Sequence, residues 1–377
     1  MSEVTSNFPQ LRFPDFDDKW EEKRLSDIAE KSNVKNRDNE VSSVFTNSAT
    51  KGVVNQRDFF DKDIANQNNL DGYYIINHDN FVYNPRISFS APVGPLNRNH
   101  LGTGVMSPLY TILKINNVSL DFIERYFKTT KWHRYMNNIA NIGARHDRMN
   151  IISSDFMKMP IPLPKDEEQQ KIAASLAAVD NKIEQLSKKQ ALLSEYKKGL
   201  MQQIFSQAIR FKADDGIEFP DWEEKKLGGV GRIRKGSQLN KSELTDTGDY
   251  PAINGGINPS GYTDKWNTGK NTITISEGGN SCGYINFITS KFWSGGHCYS
   301  IEELKGDVLN RFLFQYLKFN EHLIMRLRVG SGLPNIQKGE INNFKVNLPS
   351  LEEQTKIANL LSSIDSKIEQ VGKQLRE

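Results

Sequence analysis

The chain has 377 residues, 37% hydrophobic and 25% charged, with a formal net charge of +3; that length suits two or three domains better than one core. The sequence holds no apolar run near the roughly 18–20 residues of a membrane span, and its polar start, MSEVTSNFPQ, carries no basic-then-apolar leader. Two cysteines, Cys282 and Cys298, are too few for a disulfide framework or a cysteine-rich zinc site, so a cytoplasmic protein with buried, inert thiols and no metal is expected.

In chain order, the first recognisable element is KWEEKRL, Lys19–Leu25, which returns as DWEEKKL, Asp221–Leu227. The overlapping stretches PDFDDKWEEK, Pro14–Lys23, and PDWEEK, Pro220–Lys225, imitate the acid–acid–lysine signature of metal-dependent nucleases. Such sites draw carboxylates from separate positions that converge on a cation, whereas these are adjacent, so the motif marks a repeat boundary. Between Leu25 and Pro162 come short strand-like runs, GYYIINHDNFVYNPRISFSAPVG and SPLYTILKI, then the helical LDFIERYFKTTKWHRYMNNI and the polar loop NIGARHDRMNI.

Next is EEQQKIAASLAAVDNKIEQ, Glu167–Gln185, repeated as EEQTKIANLLSSIDSKIEQ, Glu352–Gln370, with 12 of 19 positions identical. Ten positions at alternating spacings of four and three in the first copy hold eight apolar residues, Ile172, Leu176, Val179, Ile183, Leu186, Leu193, Leu200 and Ile204, interrupted by Gln190 and Lys197. In the second copy the apolar residues are Ile357, Leu361, Ile364, Ile368, Val371 and Leu375. This is the seam of a coiled coil. Each helix follows a proline, Pro164 or Pro349, and Ser350 with Glu353, or Asp166 with Gln169, fits a capping box. From Leu227 to Asn347 the second middle segment again reads strands, then the helix-like LNRFLFQYLKFNEHLIMRLR, then the loop VGSGLPNIQKGEI. GGVG at Gly228–Gly231 lacks the strand–glycine–helix context of a dinucleotide loop.

The expected architecture is two α/β (α+β) domains in tandem, joined by two long helices forming an antiparallel coiled coil, with a pseudo-two-fold internal repeat. The boundaries are 1–165 for domain one, 166–206 for helix one, 207–349 for domain two and 350–377 for helix two. Helix two stops short of a counterpart to YKKGLMQQIF, so truncation is an open reading. Side chains able to hold phosphates or read base edges gather in loops. In the first domain they are Arg98, Asn99, His100, Arg145, His146, Arg148 and Asn150. In the second they are Arg232, Arg234, Lys235, Ser237, Asn280, Ser281, Asn335, Gln337 and Lys338. Neither a Walker motif nor the Asn-Pro-Pro-aromatic motif of adenine methylases is present.

The duplicated EEQxKIA…DxKIEQ helices, the repeated Trp-Glu-Glu-Lys openings, and the stretches YPAINGGINPSGY and TISEGGNSCGYINF…FWSGGHC resemble a specificity subunit of a type I restriction-modification system. The resemblance covers nearly the whole chain. It implies two target recognition domains, each reading half of a split, asymmetric site in double-stranded DNA, with the coiled coil fixing the gap. It implies two modification subunits that methylate adenine with S-adenosylmethionine, and restriction subunits that use ATP and magnesium. The chain itself would be non-catalytic and hold no cofactor. Repeated polar positions on the helices are candidate docking points: Lys171, Asp180, Lys182 and Glu184, with Lys356, Asp365, Lys367 and Glu369. A stand-alone bipartite DNA binder, a scaffold that binds no DNA, and a nuclease or methylase acting alone are the alternatives.

Overall fold

The computed structural model describes residues 9, 11–59, 70–140, 147–330 and 332–377. They form two compact units, 1–181 and 182–377, whose boundary falls inside one 40-residue helix, Asp166–Phe205. At 1.5 Å per residue this long helix extends about 60 Å.

In the first unit the Trp-Glu-Glu-Lys opening becomes a strand. Glu21–Arg24 pairs antiparallel with Pro160–Leu163, Glu21 facing Leu163. The pleat sends Ile161 and Leu163 inward, while all four charged residues of the first strand stay exposed. Beyond it lies a four-stranded antiparallel sheet in the order Ala29–Ser32, Thr111–Ile115, Phe81–Tyr83, Leu96–Arg98. The helix Leu120–Phe127 covers it. Phe122, Ile123, Tyr126 and Phe127 fall on one helical stripe and are buried with Phe81, Trp132, Met136 and Phe156.

The second unit repeats the plan. Glu223–Lys226 pairs with Lys345–Leu348. Its four-stranded sheet runs Arg232–Lys235, Cys298–Glu302, Thr272–Ser276, Ile285–Ile288, again antiparallel, and Asn310–Phe319 packs on it. A three-stranded sheet is added, with Tyr250–Ile253 between Tyr262–Thr263 and Trp293–Ser294. Middle segments without visible sequence likeness thus share one sheet order. Each helix expected after the strands is broken in two, at 128–132 and at Asn320. In the first break the Thr129 hydroxyl bonds Tyr126 O and accepts from Lys131 N. In the second, Asn320 turns its amide back onto Tyr316 O. Such side chains compete with the helical ladder.

Both repeat helices begin in the same knot. The Glu168 carboxylate, 2% exposed, accepts from Arg12 Nε and Nη2 at 2.8 Å each and from Trp20 Nε1 at 3.3 Å. Glu353, fully buried, accepts from Arg210 Nε and Nη2 at 3.3 and 2.9 Å and from Trp222 Nε1 at 3.2 Å. The neighbouring amides are equally matched. Gln169 accepts from Ser119 N and donates to Pro164 O, and Gln354 accepts from Leu309 N and donates to Pro349 O. The capping-box expectation is therefore half right. Ser350 Oγ does accept from Glu353 N, but the Glu353 and Gln169 side chains serve these long-range contacts instead. Buried polar groups outbid an exposed cap for such partners.

Within the second unit the two repeat helices run antiparallel. Lys197 Nζ lies 2.7 Å from the Asp365 carboxylate. Gln190 packs at Gly372, where an added Cβ would lie 2.9 Å from Gln190 Nε2. Positions fall along one helix as they rise along the other. Met201 and Ile204 join Ile357, Ala358 and Leu361 in the core of the unit. The apolar seam holds from Leu186 to Ile204, both buried, but Leu176, Val179 and Ile183 are 43–55% exposed. Toward its N-terminal end the heptad pattern thus faces outward, and its partner there is not supplied by the described residues.

Candidate nucleic-acid interface

In the first unit the structure divides the candidate residues sharply. Arg98, at the sheet edge, is held by Asp79, Asp121 and Glu124 and is only 11% exposed. Asn99 is fully buried, donating to Asn77 O and Gly102 O and accepting from Leu101 N. Their hydrogen-bonding capacity is spent inside the domain. His100 is half exposed and reaches Glu124 through Nε2. Arg145 and His146 lie outside the described residues.

Arg148 and Asn150 belong to a different surface. The segment 147–149 pairs with 85–87: Ile87 N donates to Asp147 O, Met149 N to Pro85 O, and Arg86 faces Arg148 across a β-bridge. Arg86 and Asn150 are exposed and Arg148 partly so. From this base the chain extends to a tight turn closed by reciprocal Ser88–Ala91 backbone bonds, with Phe89 at its tip and fully exposed. Sequence reading missed both Arg86 and Phe89, because Arg-Ile-Ser-Phe alternates like an ordinary strand.

In the second unit the candidates form two groups. One surrounds the end of Thr272–Ser276. Glu277, 5% exposed, accepts at Oε1 from Lys235 Nζ at 2.6 Å and from Tyr299 Oη at 2.9 Å. Its Oε2 makes no hydrogen bond among the described residues, and His297 Nδ1 stands 3.6 Å away. Burial would raise this carboxyl; the Lys235 and Tyr299 bonds outweigh it and hold it below the usual carboxylate range. The Pro334–Ile336 strap lies on the same turn, with Gly279 N donating to Pro334 O, Ile336 N to Glu277 O, and Asn335 bridging Gly278. Ser281 Oγ donates to Gly255 O, and Asn280 is left exposed. Lys235, Asn280, Ser281 and Asn335 are thereby brought together around a carboxylate that the sequence reading had passed over.

The second group lines an open groove of about 370 Å³ with Gly228, Gly229, Arg232, Lys305, Lys338 and Asn342. Arg232 is ion-paired with Glu303 yet 62% exposed. Gln337 precedes the helix Lys338–Asn343 and is exposed. Arg234 differs: it bonds Glu302, Asn267 O and Thr268 inside the domain. Ser237 uses its backbone, donating to Ser294 O and accepting from Trp293 Nε1.

The repeated helix positions also divide. Lys171 pairs with Asp15 and lies over the Phe13 and Phe16 rings; Lys356 pairs with Asp214 and lies over Phe219. Asp180 meets Arg125, and Asp365 meets Lys197 and Gln315. Their repetition has a local structural reason. Lys182, Glu184, Lys367 and Glu369 remain exposed. Both cysteines are buried, and burial pushes the Cys298 thiol up to about 11. Among the described residues no group of three or more His, Cys, Asp or Glu is arranged to hold a metal, and no helix is long and apolar enough to cross a membrane.

The chain is similar to known proteins. The family model for the type I restriction modification DNA specificity domain matches twice, at residues 17–194 and 220–377. A type I specificity subunit of Mycoplasma pneumoniae, named as putative, is 34% identical over 154 residues, 40% of this chain and 41% of that protein. The type I restriction enzyme MjaVIII specificity subunit of Methanocaldococcus jannaschii is 30% identical over 71% of this chain and 68% of its own length. Against several of these relatives, the M. pneumoniae protein included, the chain spans less than two thirds of their length. Among solved structures, a type I system S subunit from M. genitalium aligns over 95% of this chain and 92% of its own, with a TM-score of 0.63 at 18% identity. The HsdS subunit of Thermoanaerobacter tengcongensis aligns over 98% and 94%, with a TM-score of 0.51 at 15% identity.

Proposed function

Because this chain belongs to the type I restriction-modification DNA specificity family, we propose that each of its units reads one half of a split, asymmetric site in double-stranded DNA. The observation that carries this reading is the contrast between like frames and unlike surfaces. Each unit has the same strand pair, sheet order and Glu–Arg–Trp knot. Yet one presents the Arg86–Arg148 finger and the other the Lys235–Asn335 cluster with the Lys305–Lys338 groove. Different surfaces on one frame suit different half-sites, and the spacing of the frame becomes the spacing of the half-sites. Arg86, Arg148, Asn150, Lys235, Asn280, Ser281, Asn335, Gln337, Lys338 and Lys305 are the contacts we assign to DNA.

The chain carries no chemistry of its own in this reading. The repeat helices act as an antiparallel coiled-coil spacer in the cytoplasm and dock two modification subunits through Lys182, Glu184, Lys367 and Glu369. Those subunits supply S-adenosylmethionine for adenine methylation, and restriction subunits supply ATP-driven, magnesium-dependent cleavage. The test is an adenine-methylation map of a naive genome after expressing the chain with its modification subunit. A two-part motif with a fixed gap is expected. Replacing Leu25–Pro162 should change one half of that motif only. A stable complex that methylates nothing, and binds DNA without sequence preference, defeats the reading.

A further inference from the structure

The finger in the first unit is built to hold an apolar tip away from the protein. Its root is fixed. Tyr83 Oη donates to Val93 O, Val93 is fully buried, and Asn84 N donates to Pro95 O. Gly94, at φ +81°, lets the returning chain pass so close to Asn84 that a Cβ would meet its carbonyl oxygen at 2.2 Å. The flank is fixed by the bonds to Asp147 and Met149. The turn itself is closed at Ser88 and Ala91, and Ala91 N also bonds Ser88 Oγ. The Phe89 ring is fully exposed, between two exposed serines, with exposed Arg86 behind it and partly exposed Arg148 across the bridge from Arg86. A solitary exposed aromatic is unremarkable on a mobile loop, but here a stiff root, an apolar tip and flanking guanidinium groups coincide.

We propose that Phe89 is a DNA wedge: the finger enters the half-site read by the first unit and the ring inserts between adjacent base pairs, while Arg86 and Arg148 hold the flanking phosphates. This rests on the DNA-reading function proposed above. Apolar side chains that enter a base step unstack it and kink the duplex, and the bent DNA then wraps more of the protein. Arginine supplies the sequence-independent hold that keeps the ring in register. Specificity would then come partly from how easily a step unstacks, rather than from base edges alone.

The test uses the full chain with its modification subunit, on duplexes carrying the mapped methylation site with 2-aminopurine placed stepwise through each half. Wild type should raise the fluorescence at one step of the first half-site. Phe89→Ala should abolish that rise and weaken specific binding about tenfold by loss of stacking, with the salt slope and melting temperature unchanged. Phe89→Leu and Phe89→Trp should retain most of both. Arg86→Ala should lower the salt slope by about one. If wild type binds the site specifically with no 2-aminopurine rise, or Phe89→Ala binds as tightly as wild type, the wedge is refuted while the DNA reading stands. If wild type shows no specific binding at all, both fall.

Discussion

The two buried glutamates illustrate how one residue can hold a domain closed. Glu353 is fully buried, and Arg210 supplies its counter-charge. Arg210→Ala strands that carboxylate, and losing one partner of a buried pair costs about 3 kcal/mol; chemical denaturation should show the loss. Glu277 gives a pH-dependent case. Its folded carboxyl titrates below its ordinary range, so its contribution to stability is present above that range and disappears as pH falls through the folded value. Glu277→Gln should therefore cost about 1 kcal/mol at pH 7, discounted because Lys235 is half exposed. The difference from wild type should vanish in acid; a difference independent of pH would contradict the assignment. At this scale the sequence was least informative. Arg98 and Asn99 look like base readers in the string NRNH, yet their partners Asp79, Asp121 and Asn77 are remote in sequence or carry no signal. The knot was more accessible: Leu11-Arg12-Phe13 and Ile209-Arg210-Phe211 form a third repeated pair, easily lost beside the stronger ones.

Helices were legible because their apolar periodicity is local. What periodicity cannot say is which stretch of a stripe finds a partner. Leu361 is fully buried among Met201, Ile204 and Phe312, whereas Leu176, the same position in the other repeat, is 43% exposed. Leu361→Ala should cost about 3 kcal/mol through transfer and cavity terms, while Leu176→Ala should stay within about 0.5 kcal/mol of wild type. Thermal melts of the two variants side by side decide it. Equal losses would mean that Leu176 is covered in solution. The breaks at Thr129 and Asn320 escaped notice for a related reason: Thr and Asn are tolerated in helices, and only their bonds to Tyr126 O and Tyr316 O reveal them as stops.

Across the whole molecule the internal repeat could be read in outline from the sequence, while the common sheet order of the two middles could not. Backbone ladders and inward-pointing apolar residues accept many sequences, so identity decays where the pairing plan does not. Both units also close the same way, by a strand at the start of the unit pairing with one near its end. Leu163 follows its partner Glu21 by 142 positions, and Leu348 follows Glu223 by 125. During synthesis at about 5–20 residues per second, the first strand must wait about 6–28 s before its partner leaves the ribosome. An unpaired strand is an invitation to mispair. Here the waiting strands read Glu-Glu-Lys-Arg and Glu-Glu-Lys-Lys, with a charge at the end of every side chain to discourage a wrong neighbour. The charges that mimic a nuclease motif should thus guard the nascent chain against mispairing, and closure, being so non-local, should set the pace of refolding.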